Sequence, residues 1–391
     1  MPAAAIAAAG KRLAQAPTRA ILFGRAMTEH PQAAALIAAI ECLGWAAGAI
    51  TAERSSVMYL GPQNDSQGAL DMGLTPDRLP GYLPVADGAA RASFEKQWEC
   101  TLPDAPGSSA PEILRAAAEG KIKALWIASD HWLKSAPDRA LAEMAMAACE
   151  LVIVNELFLT ETARKAHVVF PVTSFAEKEG VVVNAERRLQ RTARAVTPRR
   201  GAHADWEIFQ AAARSLGAAW SYRSAEDVFR EIARLVPGYR GLSWAALMPL
   251  GLQWTLPEPL APAMRPAAAP AADGVPVPSD GLWLLSGGTL FLQGSLSHRE
   301  TLLPKLAKRA LAFLHPAQAT KLGLESGDRV RLEGPAGALE LPVELDDAVP
   351  AGSVFVPYAH AAVELNRLGG PAAAGLRVSA RKAAVAERVG A

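Results

Sequence analysis

The chain has 391 residues, 40 of them basic and 39 acidic, with half of all residues hydrophobic and one in five charged. That composition excludes a disordered polymer and leaves no excess of basic charge to draw nucleic acid or an anionic membrane as a partner. No uninterrupted run reaches the ~20 apolar residues of a spanning helix, and MPAAAIAAAGKR is too short and too rich in alanine for an export signal, so the economical location is the cytoplasm.

In chain order, TRAILFG (18–24) reads as a strand and HPQAAALIAAIECLG (30–44) as a helix stopped by Gly44. SSVMYL (55–60) reads as a second strand, and GPQNDSQGALDMG (61–73) as a polar, glycine-rich loop at its carboxyl end. Residues 72–110 hold many Pro and Gly and no long periodic element, the pattern of an extended surface excursion. An αβα rhythm follows. PEILRAAAEGKI, PDRALAEMAMAACE and TETARKA read as helices, and KALWIAS, LVIVNEL and HVVFPV as nearly continuous apolar strands, which call for a parallel sheet covered on both faces. DWEIFQAAARSLGAAW and SAEDVFREIARLV are amphipathic helices, with Asp205 near the start of the first and Ser224 capping the second. Pro and Ala then dominate TLPEPLAPAMRPAAAPAADGVPVPSDG, the signature of a stiff linker. Beyond it LWLLSG, DRVRLEG, ALELPVEL and SVFVPY are short strands between Gly, Asp and Pro turns, with one helix in HPAQATKLG, a pattern that suits a small barrel. The expected division is therefore an α/β domain over 1–250, a linker over 251–280 and a β-rich domain over 281–391.

The stretch FAEKEGVVVNAERRLQRTARAV (175–196) runs acid, base, acid, Gly, three valines, Asn and then a basic tail. Glu177, Lys178 and Glu179 are adjacent, and neighbours in a strand or loop cannot all face one pocket, so they suit a solvated turn closed by Gly180. Arg187, Arg188, Arg191 and Arg194 offer guanidinium forks for an anion or for carboxylates across an interface. Spacings of three and four gather Arg187, Arg191 and Arg194 if the segment is helical, and the upstream valines allow an extended form instead. The loop 61–73 has neither a dinucleotide fingerprint nor a P-loop, and its Asn64, Ser66 and Gln67 serve a ligand or the loop's own backbone equally well. The histidines form no HxH or HExxH set, and Cys42, Cys100 and Cys149 are isolated, with no CxxC among them. That argues against zinc, a disulfide framework or an iron–sulfur cluster built from this chain alone.

Several ordered motifs carry a resemblance. QGALDMGLTPDRLPGYLPV, EGKIKALWIAS, ELFLTETARKAHVVFPVTSFAEKEGVVVNAERRLQR and DWEIF resemble, in that order, the second half of the molybdopterin oxidoreductase family. FLHPAQATKLGLESGDRVRLEGPAGALELPVELDDAVPAGSVFVPYAH resembles that family's molybdopterin dinucleotide-binding domain, and together these motifs span nearly the whole chain outside the linker. The resemblance implies a mostly parallel α/β domain covered by helices, followed by a β-barrel-like domain. It is shared by formate dehydrogenase-type catalytic subunits and by the large peripheral-arm (G-type) subunit of NADH:quinone oxidoreductase, respiratory complex I. An intact member begins with cysteine motifs for iron–sulfur clusters and a further α/β domain, so the resemblance implies a fragment or a split-gene product. Asn64 and Gln67 match the polar crevice loop, and His298, Arg299 and Asn366 fall where relatives approach the pterin. SDHWLKSAP and FLQGSLSHRE depart from the forms usual in cofactor-loaded members, which marks those five residues as vestigial.

Burying the phosphates of two pyranopterin dinucleotides needs donors from both sides of a deep cleft. The expectation is thus a cofactor-free, non-catalytic scaffold in the peripheral arm of a complex I-like enzyme. Iron–sulfur clusters and FMN would lie in partner subunits, among them a chain carrying the N-terminal iron–sulfur half. The assembly would sit peripherally on the cytoplasmic side of the inner membrane, with no metal held by this chain. The alternative is the cofactor-binding half of a split molybdenum or tungsten formate dehydrogenase-type subunit. A third is a free-standing interaction protein that reuses the fold.

Overall fold

A computed structural model describes residues 2–28, 30, 32–50, 55–128, 131–254, 281–292, 294, 296–297, 299–307, 310–358, 360, 363–369 and 376–383. Contacts group the chain into two units, Met1–Glu112 with Phe170–Gly274, and Ile113–Val169 with Val275–Ala391.

In the first unit, strands Ala20–Gly24 and Ser56–Leu60 pair in parallel, with Ala20 opposite Ser56 and Gly24 opposite Leu60. The helix Ala33–Ala46 connects them. It runs two residues past Gly44 and stops before Gly48, whose φ of 73° ends it. Gly44 serves a different purpose, because a Cβ there would lie 2.7 Å from Val57 Cγ2 and push the helix off its strand. Both strands are continuous apolar runs, yet none of their ten residues is fully buried and no third strand joins them among the described residues.

The segment 72–110 is more regular than its Pro and Gly content suggests. Arg78–Leu79 and Leu83–Pro84 form a two-residue ladder, and Gly88–Trp98 is a helix. Asp87 starts that helix by accepting from the backbone N–H groups of Ala89 and Ala90 at 2.9 and 3.3 Å, and Phe94 anchors it in a small core with Leu79 and Val85. Ser224 caps Ala225–Leu235 through the Asp227 N–H, as its position implied. The charged stretch resolves as a β-hairpin, Gly180–Val183 against Arg188–Thr192. Its helical form is thereby excluded. Residues 251–254, assigned to the linker by composition, instead belong to this sheet: Leu252–Gln253 is its third strand, and Trp254 is buried in the core with Leu189, Phe229 and Tyr239. The remainder of the linker, 255–280, lies outside the described residues.

The second unit has two cores. Strands Ala124–Ala128 and Leu151–Glu156 pair in parallel, with Val168–Pro171 next in order, and their inward Leu125, Ile127, Val152 and Val154 pack on the helix Arg139–Ala148. The other core fills a closed six-stranded barrel, in the order Leu282–Gly287, Ser353–Pro357, Ala312–Leu314, Gly337–Leu345, Arg329–Gly334 and Arg377–Lys382. Alternation along the strands builds it: Val330 and Leu332 point inward, and Arg331 between them pairs outward with Glu333 and Glu340 at 2.7 and 3.1 Å. The architecture is therefore an α/β domain with small mixed sheets followed by a six-stranded barrel. Among the described residues no helix is long and apolar enough to cross a membrane.

One ion cluster ties the two parts of this unit together. Arg139, whose side chain is 7% exposed, reaches Glu143, Glu161 and Glu364 at 3.1, 2.5 and 3.2 Å. The three carboxylates are 31–40% exposed, so their own desolvation is incomplete while the guanidinium's is nearly total. Arg139→Met should keep the volume of the stem, strand three acids beside one another and destabilise the protein by about 2–3 kcal/mol. A urea titration would register this as a lower midpoint with an unchanged slope.

Candidate functional site

Asp71 closes the helix Ser66–Asp71 that occupies the middle of the stretch read as a loop. It is 1% exposed. Gln67 Nε2 and the Tyr82 hydroxyl donate to its Oδ1 at 2.8 and 2.6 Å. The Tyr239 hydroxyl and Trp254 Nε1 donate to its Oδ2 at 2.6 and 3.0 Å. A carboxylate is acceptor-only when ionised, and four donors divided between its two oxygens are what permits its burial. The local backbone serves the same end, since Gly81, at φ 82°, donates its N–H to the Asp71 carbonyl at 2.7 Å and aims Tyr82 back at the helix. Burial, then the hydrogen bond and charge of Asp71, hold the Tyr82 and Tyr239 hydroxyls well above the usual tyrosine range. Both remain donors at any ordinary pH, so this group anchors the segment and has no free base to offer.

The start of the same helix is fixed to the hairpin. Asp65 Oδ1 accepts the Val183 N–H at 2.7 Å. Burial pushes the Asp65 carboxyl up, partly offset by that hydrogen bond. Gly68 sits where a Cβ would approach Asp65 Oδ1 to 2.3 Å, so only glycine lets helix and hairpin meet. Asn64 lies exposed in the preceding turn. Gln67, named for a pterin, has its amide nitrogen committed to Asp71 and to the Tyr82 hydroxyl.

The charges of 175–196 separate rather than converge. Glu177 accepts from the Ser174 and Arg199 N–H groups at 2.8 and 3.1 Å, which hold its carboxyl below the usual range, the Ser174 bond contributing most. Lys178 meets Asp205 at 3.0 Å and Glu179 meets Arg191 at 3.5 Å. Asn184 shapes the hairpin turn by accepting from the Glu186 and Arg188 N–H groups, with Arg187 in the left-handed region at φ 62°. The guanidinium of Arg187 lies 5.3 Å from the Trp254 ring centroid and that of Arg191 4.7 Å from Trp244. Arg188 donates to the Gly251 carbonyl at 3.5 Å, and Arg194 is exposed. Three of the four arginines thus brace the hairpin, and no common anion pocket forms among them.

In the second unit, Asn366 is buried and donates both Nδ2 hydrogens, to the carbonyls of Leu133 and Ala136 at 2.8 and 3.0 Å. Its Oδ1 is buried with no partner among the described residues. Lys134, in the short helix Trp132–Ser135 that also holds Leu133, donates to the His360 carbonyl at 3.2 Å, and burial lowers the affinity of both side chains for a proton. Arg299 is exposed, its guanidinium 4.7 Å from the Phe158 ring centroid. His298 lies outside the described residues. Among the described residues no three His, Cys, Asp or Glu side chains are grouped to hold a metal ion.

Sequence reasoning passed over Asp71, Tyr82, Tyr239 and Trp254. The usable signal was the four-residue spacing of Gln67 and Asp71, visible only if SQGALD is taken as helix. Asp71→Asn turns an acceptor into a donor facing tyrosine and indole donors, and should destabilise the protein by about 2–4 kcal/mol in chemical denaturation. The tyrosines set a pH dependence. Their folded affinity for the proton exceeds the unfolded one, so stability is full below the ordinary value of 10.0 and falls as pH rises beyond it. Melting temperatures should be flat from neutrality to pH ~9 and decline above pH ~10, less steeply in Tyr239→Phe.

The chain matches the molybdopterin oxidoreductase family over residues 3–215 and the molydopterin dinucleotide binding domain over residues 282–378. Similar proteins include the G 2 subunit of the NADH-quinone oxidoreductase of Rhizobium meliloti, 33% identical over 80% of this chain and 36% of that one. The F420-dependent formate dehydrogenase 1 subunit alpha of Methanococcus maripaludis is 29% identical over 94% of this chain and 57% of its own length. Formate dehydrogenase H of Escherichia coli is 34% identical over 64% of this chain and 36% of that protein. The chain therefore spans between about a third and somewhat more than half of these relatives. Acetylene hydratase from Pelobacter acetylenicus shares the fold, with a TM-score of 0.58 at 18% identity over 76% of this chain and 50% of that one. With the α/β match covering more than half its residues and the dinucleotide-binding barrel following in the same order, the chain belongs to the molybdopterin oxidoreductase family.

Proposed function

We propose that this chain is the pterin-holding portion of a molybdenum- or tungsten-dependent oxidoreductase subunit of formate dehydrogenase type. In this reading it works with a further polypeptide segment that supplies the metal's protein ligand and the iron–sulfur relay. The observation that carries this reading is the extent of the match. The F420-dependent formate dehydrogenase 1 subunit alpha aligns over 388 residues, through both domains, whereas the NADH-quinone oxidoreductase relative aligns over 315.

The side chains fit such a cofactor in part. Asn366 is held rigid through its nitrogen and has a buried acceptor left over, which suits an N–H of a pterin ring. Arg299 has an accessible guanidinium for a phosphate. Gln67 supplies no N–H, since its nitrogen serves Asp71 and Tyr82, and its contribution is the rigidity of the segment that follows Asn64. When bound, the pterin-held metal supplies two-electron chemistry. The residues of this chain would hold and orient that group, and none of them is assigned a proton-transfer step.

A second reading, a cofactor-free scaffold in the peripheral arm of a complex I-like enzyme, draws support from the 33% identity to the Rhizobium meliloti protein and from the commitment of the Gln67 nitrogen. Metal analysis and oxidative pterin release on the natively purified assembly separate the two. Stoichiometric molybdenum or tungsten with pterin, and formate-dependent acceptor reduction, are expected here. Iron and FMN without either metal would reject the proposal in favour of the scaffold. Asn366→Ala should reduce the pterin retained per chain at least several-fold, and an unchanged content would remove that residue from the site.

A further inference from the structure

In the first unit a cavity of about 440 Å³ is bounded by the helices Gly88–Trp98, Asp205–Ser215 and Ala225–Leu235. Its volume lies in the range of sites that enclose small molecules, roughly 300–1,000 Å³. Phe94, Trp98, Trp206, Phe209, Trp220 and Tyr222 give it aromatic walls, and Glu231 is the charged residue lining it.

The walls are tethered, which is why the cavity stays open. Trp98 Nε1 donates to Glu231 Oε1 at 3.0 Å and the Tyr222 hydroxyl donates to Oε2 at 2.8 Å. Phe94 packs on Trp98 with ring centroids 4.9 Å apart. The backbone of Tyr222 is clamped by Gln210, which donates to its carbonyl at 2.9 Å and accepts its N–H at 2.6 Å. The Trp220 carbonyl accepts from Arg214. Arg234 stands 3.8 Å from the same carboxylate of Glu231. Each oxygen of Glu231 is thus covered by a donor of the wall itself, and what the wall presents inward is aromatic and aliphatic carbon. Burial and the neighbouring Glu231 carboxylate push the Tyr222 hydroxyl up to about 12, so it keeps its proton, and its role as donor, at neutral pH.

We propose that this cavity binds an uncharged, planar aromatic molecule of one to three rings. An ion would lose its hydration without finding a free partner there, whereas a flat apolar ring gains contact with preset ring faces and displaces water that has few polar partners. The site is independent of the pterin reading, since its lining lies wholly in residues 72–98 and 206–236.

The test titrates the full chain with N-phenyl-1-naphthylamine, with its emission excited through tryptophan. Saturable one-to-one binding is expected. Val228→Trp, which fills the cavity from the helix Ala225–Leu235, should weaken it by at least about tenfold, with far-UV circular dichroism unchanged. Tyr222→Phe should uncover one oxygen of Glu231, weaken the neutral probe several-fold and strengthen 1-naphthylmethylammonium. Unsaturable binding, equal affinity in folded Val228→Trp, or a Tyr222→Phe protein that shifts both probes in the same direction would each overturn the proposal. Should Val228→Trp fail to fold, the opposed responses of the two probes in Tyr222→Phe decide the matter.

Discussion

The first unit depends on one buried negative charge. Asp71 is reached by Tyr82, Tyr239 and Trp254 from 11, 168 and 183 residues away, so a single carboxylate fixes a helix end, a tight turn and two distant segments at once. An ionised group in such surroundings is tolerable only while all its partners are present, which makes the arrangement all-or-none. The hairpin shares this dependence: Trp254, one of the donors, follows its third strand and lies beneath the guanidinium of Arg187. Charge, ring face and hydrogen bond are thereby stacked in sequence, and three of the four arginines that look like an anion trap brace the hairpin.

The second unit inverts the sign of that device. There a buried cation, Arg139, gathers carboxylates from its own helix, from Glu161 and from Glu364, in the connection between the barrel strands Ser353–Pro357 and Arg377–Lys382. Asn366, two residues after Glu364, adds neutral hydrogen bonds to the carbonyls of Leu133 and Ala136, in and at the end of the short helix Trp132–Ser135. Ionic and neutral contacts converge on the same short stretch, which orients Asn366 firmly enough for its oxygen to remain buried without a partner among the described residues.

Much of the fold was legible because its signals are local. Alternation along DRVRLEG and ALELPVEL gives the barrel its inward and outward faces, and Ser224 announces its helix by a single hydrogen bond. Gly88–Trp98 was hidden because its apolar residues form no clear stripe and its surroundings are full of Pro and Gly, leaving the Asp87 cap as the sole cue. Gly44 illustrates the opposite error, a glycine read as a stop where the need was close approach to Val57. The candidate site was legible only as a set of polar names. Gln67 and Asn366 were singled out by residue type, but the contacts each makes depend on Asp71 and on the carbonyls of Leu133 and Ala136, and no spacing rule connects residues as far apart in the chain as Asn366 and Leu133.

The parallel pair Ala20–Gly24 and Ser56–Leu60 has a practical consequence. Among the described residues its outer edges offer amide and carbonyl rows that no further strand covers, beside leucines as exposed as Leu22 and Leu60, and such rows recruit any extended segment that meets them. In the isolated chain at high concentration, these edges are where strand-to-strand association would start. Colloidal behaviour during purification would then report on a few uncovered backbone groups rather than on how well either core is packed.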